Sequence, residues 1–253
     1  MGNAFTPRGP TRQAVAMTGS GESRVFGVVA PMPSELKPFA KAVGLTPRAD
    51  DSRVREGAID GTKVLATLSG MGTAGAVEAA ERLIDAGAQH VVVMGIAGGL
   101  VPETPIGEVL VPEVVLDRDG GGEYKPVPLG DNVAKGRIST STIFTSDPSH
   151  IATLIAEGVI AVDMETAAVG KVCEERGVPW SVFRSISDKP SDGMVDETLF
   201  GLANDDGSPN YGASLRYVAT HPWKVPMLVR VARDAGIATK AAANAVIAAI
   251  RAS

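Results

Sequence analysis

The stretch VLATLSGMGTAGAVEAAERLIDAG, Val64 to Gly87, decides the fold class. It runs from a β-rich segment through Gly70, Gly72 and Gly75, spaced G-x-G-x-x-G, into an amphipathic run from Ala74 to Ala86. The next segment, HVVVMGIAGG (His90 to Gly99), is unbroken and β-branched, as in strands buried on both faces of a parallel sheet. Strand, glycine turn, helix and buried strand in succession predict an α/β architecture. The same glycine spacing opens dinucleotide sites, but those need an acidic residue about 20 positions on to hold the ribose. Met94 and Ile96 stand there instead. The glycines are therefore read as a tight turn at Gly70 and Gly72 and a close helix contact at Gly75.

Outward from this unit the alternation continues. RVFGVVAP (Arg24 to Pro31) reads as a strand, followed by a helix capped by Ser34 and ending near Gly44. An Asp60-Gly61 turn predicts an antiparallel hairpin leading into TKVLATLS. IGEVLVPEVVLD gives a further strand pair, and Asp119 to Asn132 reads as a loop from its glycine and proline density. Three more strands fall in GRISTSTIFT, VIAVDM and VPWSVFRSIS. Between them lie a helix with Asp147 as its cap and Pro148 in its first turn, and a helix stopped by Gly177. Two C-terminal helices follow, one with Thr220 and Pro222 at its start and one rich in alanine. The fold expected is a central mixed, twisted sheet flanked by helices. Residues 1–23 are expected to form a flexible tail, and residues 24–253 a single domain.

Composition narrows the function. The chain has 253 residues, 44% of them apolar, and a formal net charge of −5. No basic block with interleaved aromatics is present, which argues against nucleic acid as a partner. A single cysteine, Cys173, offers neither a disulfide nor a paired metal site. With no long apolar run and no secretory apolar core near the N-terminus, the expectation is a cytoplasmic protein with no membrane partner. His90, His150 and His221 are too scattered to suggest a ligand set, and no G-x-S-x-G elbow supports a serine hydrolase.

In open α/β sheets ligands bind beyond the carboxyl ends of the strands. Those ends carry Ser34 and Glu35, Gly95 to Gly99, Asp163 and Glu165, and Ser187 and Asp188. Glu165 and Asp188 directly abut apolar strands, where partial burial can tune a carboxyl group. Carboxylates on three different strands suit cleavage of a glycosidic bond. One acid protonates the leaving group, another activates water, and their charge opposes an oxocarbenium-like centre.

In collinear order, GVVAPMPSEL, LSGMGTAGAVEAA, VVVMGIAGGL, GEVLVPEVV and AVDMETAAVGKVCEERGVPWSVFRSISD resemble the nucleoside phosphorylase superfamily. They are most similar to its bacterial 5′-methylthioadenosine/S-adenosylhomocysteine nucleosidases. The resemblance implies hydrolysis of the N-glycosidic bond of a purine nucleoside, a 5′-modified adenosine, in purine and methionine salvage. It implies no cofactor, no metal and a homodimer. By its motifs, Glu35 activates water, Met164 and Glu165 hold the ribose, and Asp188, supported by Ser187, protonates the purine at N7. Phe144 in STIFTSD would stack on the base, and Arg184 would lie near the water and the acids. Ile96 stands where many nucleosidases carry a serine near the water, and Asp163 replaces the first glutamate of a V-E-M-E element. The segment from Lys189 to about Tyr217 is longer than the family core. The phosphate-holding arginines of the phosphorylases have no counterpart in APMPSE or VMGIAGG. A phosphorylase with an unusual phosphate site and a non-catalytic nucleoside-binding protein remain the alternatives.

Overall fold

The computed structural model describes residues 24–143, 147–189, 216–217 and 220–253. Residues 1–23, Phe144 and most of the Lys189 to Tyr217 segment lie outside the described residues. The expected mixed sheet forms, with 11 strands among the described residues. Strands β1 (Phe26–Ala30), β4 (Thr62–Leu68) and β5 (His90–Gly99) run parallel with β1 in the middle, and β3 (Val54–Ile59) pairs antiparallel with β4. The turn between them holds Asp60 at φ 48° and Gly61 at φ 89°, the two left-handed positions that a tight hairpin of this hand requires. A two-residue edge strand, β2 (Thr46–Pro47), completes that side.

On the far side of β5 the sheet divides. One edge of β5 pairs with β1 over His90 to Val93 and then with β10 (Val159–Asp163) at Gly98 and Gly99. The other edge pairs along its length with β11 (Trp180–Asp188). The path continues from β10 through β9 (Arg137–Thr140) and β7 (Val114–Asp117) to β8 (Glu123–Tyr124). Strand β6 (Val109–Leu110) pairs with β11. Two sequence expectations are corrected here. The strands of IGEVLVPEVVLD do not pair with each other, and the glycine-rich loop from Asp119 contains the short strand β8. Strand β6 pairs with the distant β11 and β7 with β9, whereas β8 folds back on β7 through the turn from Asp117 to Gly122, a local hairpin whose glycine density reads as loop.

Helices cover both faces. Helix α1 (Pro33–Val43) is entered through Met32 with Pro33 in its first turn, so Ser34 lies inside the helix and does not cap it. Helix α2 (Thr73–Asp85) buries Ala76, Ala79, Ala80 and Leu83, a single stripe at helical spacing, and packs against α4 (Thr166–Glu175). Helix α3 (Pro148–Ala156) starts as expected, with the Asp147 side chain accepting from the Ser149 amide at 3.0 Å. The opposite face is covered by α1 and by α5 (Val225–Arg251), which packs on β11, β5 and α1. The two C-terminal helices expected from the sequence are one. Helix α5 runs unbroken through Gly236 after a 3-10 turn at Pro222–Lys224, and the Thr220 hydroxyl donates back to Arg216 O instead of capping a start. A mid-helix glycine costs about 1 kcal/mol. Burial of Ala238, Ala242, Ala243, Val246, Ala249 and Ile250 beyond it outweighs that.

His90 is a core histidine. It is buried against Phe26 with Nε2 2.8 Å from Ser181 Oγ, and burial pushes its pKa down to about 4. Cys173 is a free, buried thiol. No described helix is long and apolar enough to cross a membrane.

Candidate active site

The division of the sheet exposes backbone. Between Val93 and Gly98 one edge of β5 has neither β1 nor β10 beside it. Unpaired backbone polar groups in an interior must find other partners, and at Ile96 the partners are side chains. The Ile96 amide donates to Glu35 Oε2 at 2.7 Å, and its carbonyl accepts from Arg184 Nη1 at 3.3 Å. Glu35 reaches this point from α1, which starts three residues beyond the end of β1, and Arg184 reaches it from the middle of β11.

Around Arg184, which is fully buried, three carboxylates converge. Nε lies 2.8 Å from Asp163 Oδ2, Nη2 3.1 Å from Glu165 Oε2, and Nη1 3.9 Å from Glu35 Oε2. Glu35 and Glu165 are only 1% and 5% exposed. Glu35 Oε1 is buried with no hydrogen-bond partner. Burial pushes the Glu35 pKa up to about 8, with Glu165 adding to the effect and Arg184 and the Ile96 amide opposing it. Burial raises Glu165 as well, against the pull of Arg184.

Glu165 sits at the start of α4 and accepts from the Gly72 amide at 3.0 Å. The glycine loop thus has a part in the site that its sequence reading missed. Gly70 and Gly72 take φ of 73° and 90°, as the tight turn requires, and a Cβ on Gly75 would lie 2.0 Å from the Ser69 carbonyl oxygen. The turn also aims the Gly72 amide, at the N-cap of α2, at an anion, in keeping with the polarity of a helix start. The anion is a carboxylate of the chain itself.

At the end of β11, Ser187 Oγ lies 2.5 Å from Asp188 Oδ1 and 3.4 Å from the Ala97 carbonyl oxygen. Asp188 is half-buried beside Gly98, where a Cβ would come within 3.6 Å of its Oδ2. Met164, just past the end of β10, and Ile96, within β5, are half-buried. Of the residues singled out in the sequence, Glu35, Ile96, Glu165 and Arg184 are joined by direct contacts. Ser187 and Asp188 follow three and four residues after Arg184 on one strand, and Met164 lies between Asp163 and Glu165. Phe144 is outside the described residues. Gly72, Thr140 and Thr166 were not anticipated. Gly72 in S-G-M-G and Thr166 in M-E-T stand beside residues already singled out, whereas Thr140, at the end of β9, carries no local signal.

Gly95 explains how the groups fit. A Cβ there would fall 2.1 Å from Glu35 Oε2 and 2.6 Å from Arg184 Nη1. Gly95→Ala is therefore expected to destabilise the protein by about 1–3 kcal/mol and to displace both side chains, read as a lower melting temperature together with reduced turnover. Two open clefts lie farther out, by α2 and the β3–β4 hairpin. The one of about 390 Å³ is lined by Arg53, Arg55 and Arg82 among others, but Asp51 and Glu78 pair with two of these. None of the strand-end carboxylates lines either cleft.

Residues 25–135 and 129–208 match the family model of the phosphorylase superfamily. The chain is similar to the 5′-methylthioadenosine/S-adenosylhomocysteine nucleosidase of Anoxybacillus flavithermus, with 29% identity over 163 residues, 52% of this chain and 70% of the relative. An Exiguobacterium enzyme of the same name is 32% identical over 164 residues, 53% of this chain and 70% of the relative. Among solved structures, the Neisseria meningitidis nucleosidase in complex with methylthio-immucillin-A aligns with a TM-score of 0.68 at 18% identity, covering 91% of this chain and 100% of that one. Native futalosine hydrolase of Helicobacter pylori aligns at 0.65 and 17%, covering 90% and 97%. These two likenesses are of fold. With the family model covering most of the chain, the protein belongs to the phosphorylase superfamily.

Proposed function

We propose that the protein hydrolyses the N-glycosidic bond of a purine nucleoside, a 5′-modified adenosine such as methylthioadenosine or S-adenosylhomocysteine, releasing adenine. The observation that carries this is the buried pairing of Glu35, Glu165 and Asp163 around Arg184, with Asp188 farther along the same strand. The names of the sequence relatives agree with it.

In this reading Asp188, oriented by the Ser187 hydroxyl, protonates N7 of the purine, because adenine leaves poorly as an anion. Glu165 accepts the ribose hydroxyls. The Gly72 amide and Arg184 each take one of its oxygens, and a carboxylate has about four lone-pair sites, so accepting capacity remains. Glu35 as the carboxylate takes the proton of the attacking water, and the negative charge around the ribosyl carbon opposes its developing positive charge. Met164 and Ile96 supply apolar surface. The guanidinium of Arg184 is committed to carboxylates and to the Ile96 carbonyl, which favours water over phosphate as the nucleophile. Phe144 as the stacking residue, a homodimeric state and a place in the reducing cytoplasm are parts of the same proposal.

A chromatographic assay on methylthioadenosine, S-adenosylhomocysteine, 5′-deoxyadenosine, adenosine, inosine and futalosine, with and without phosphate, tests it. Adenine and a free sugar without phosphate are expected. Strict phosphate dependence with ribose 1-phosphate as product would overturn the hydrolytic reading, and binding without release would make the protein a nucleoside-binding module. On a nitrophenyl riboside, whose leaving group needs no proton from Asp188, only the base must be ionised, so kcat/KM is expected to climb about tenfold per pH unit towards a plateau above pH about 8. A flat profile down to pH 6 would remove Glu35 from that role.

A further inference from the structure

Asp163 is the best-connected carboxylate of the cluster, yet the proposed reaction gives it nothing to do. Its Oδ1 accepts from Thr140 Oγ1 at 2.6 Å and from the Thr166 amide at 3.3 Å, and its Oδ2 takes the Thr166 hydroxyl and, at 2.8 Å, Arg184 Nε. Thr140 is itself fixed by the Ala167 amide, which donates to its hydroxyl at 3.1 Å, and Thr166 Oγ1 lies 3.0 Å from Arg184 Nε. Thr140, Thr166 and Arg184 are all buried. The arrangement ties the first turn of α4, the end of β9 and the end of β10 to one edge of the guanidinium.

A guanidinium is planar with its donors in a rigid fork, so fixing one edge fixes the direction of the others. With Nε on Asp163, Nη2 meets Glu165 at 3.1 Å while Nη1 stops 3.9 Å from Glu35, outside hydrogen-bonding distance. We infer that Asp163, backed by Thr140 and Thr166, is a positioning residue that holds Arg184 on Glu165 and withholds it from Glu35, so that Glu35 keeps its affinity for a proton. This rests on the proposed reading, in which Glu35 must take a proton from water. A closer guanidinium would stabilise the carboxylate and weaken it as a base. The charged groups acting on Glu35 are Arg184 from β11 and Glu165 from the start of α4, with β5 contributing the Ile96 amide. Asp163 acts through the first of these.

The test is a carbon-13 NMR titration of the Glu35 carboxyl in full-length, glutamate-labelled protein, assigned by its loss in Glu35→Gln. Wild type, Asp163→Asn and Thr140→Val are compared, together with the pH profile of kcat/KM for a nitrophenyl riboside, whose leaving group needs no proton. In Asp163→Asn the Glu35 midpoint is expected to fall by about one pH unit as Arg184 relaxes towards it, and the acid limb of the profile to fall with it. Thr140→Val, which keeps the Asp163 charge but removes a hydrogen bond to it, is expected to move both the same way by about a few tenths of a unit. A folded Asp163→Asn protein whose Glu35 midpoint is unchanged overturns the inference. If that variant does not fold, Thr140→Val decides, a downward shift supporting the inference and an unchanged midpoint overturning it. Should the wild type release adenine from no nucleoside, the hydrolytic reading fails while the NMR midpoints still decide the role of Asp163.

Discussion

Replacing Asp188 with asparagine is expected to lower kcat for adenine release by about 10³-fold without unfolding the protein, since a positioned general acid contributes roughly 10²–10⁴-fold. Asparagine has nearly the size of aspartate and can still meet the Ser187 hydroxyl, which lies 2.5 Å from Oδ1. What it lacks is a proton acidic enough to pass to N7. The loss should therefore depend on the leaving group. A riboside carrying nitrophenolate, which departs without protonation, should lose less than about tenfold in Asp188→Asn. An equal loss on both substrates would show that Asp188 holds the nucleoside and does not protonate it.

Glu35→Gln should show the complementary pattern, a loss of about 10²–10³-fold that is the same for both leaving groups, because water activation is needed for each. The fold should tolerate this change. Glutamine can still accept the Ile96 amide proton, as Glu35 Oε2 does at 2.7 Å. Stability offers a second readout. With its pKa raised from 4.5 to about 8 in the fold, Glu35 binds more protons folded than unfolded across that window. Its contribution is complete below pH 4.5 and disappears as pH rises through about 8. The melting temperature of wild type relative to Glu35→Gln is accordingly expected to fall between those limits. Parallel melting curves at both ends would place Glu35 in a wetter setting than its burial implies.

How far the sequence could be read depended on the range of the interaction. The buried run of β5, the Asp60-Gly61 hairpin and the Asp147 cap are local patterns, and all formed as expected. The partners of β6 and β7 lie far along the chain, while the two-residue β8, folded back locally on β7, passes as loop because the glycines beside it dominate the composition. The sequence suggests two C-terminal helices because the buried alanine face that carries α5 through Gly236 is a tertiary property. In the site, Glu165 and Asp188 stand out as acids abutting apolar strands, and Glu35 as an acid just past a strand end. The gap along the edge of β5, the joining of Asp163 to Arg184 and the use of the Gly72 amide were not legible, since each arises only when separate strands and helices meet.

The backbone of Ile96 and Gly72 has a use beyond catalysis. Most protected amides in a sheet give their protons to a neighbouring strand and exchange with solvent only when the sheet opens. These two give theirs to Glu35 and Glu165. Their exchange with heavy water is therefore tied to whether each acid is in place to receive them. The surrounding strands, held by ordinary ladders, serve as an internal reference. A single exchange measurement can thus separate loosening of the acid cluster from loosening of the fold, residue by residue and with no substrate present.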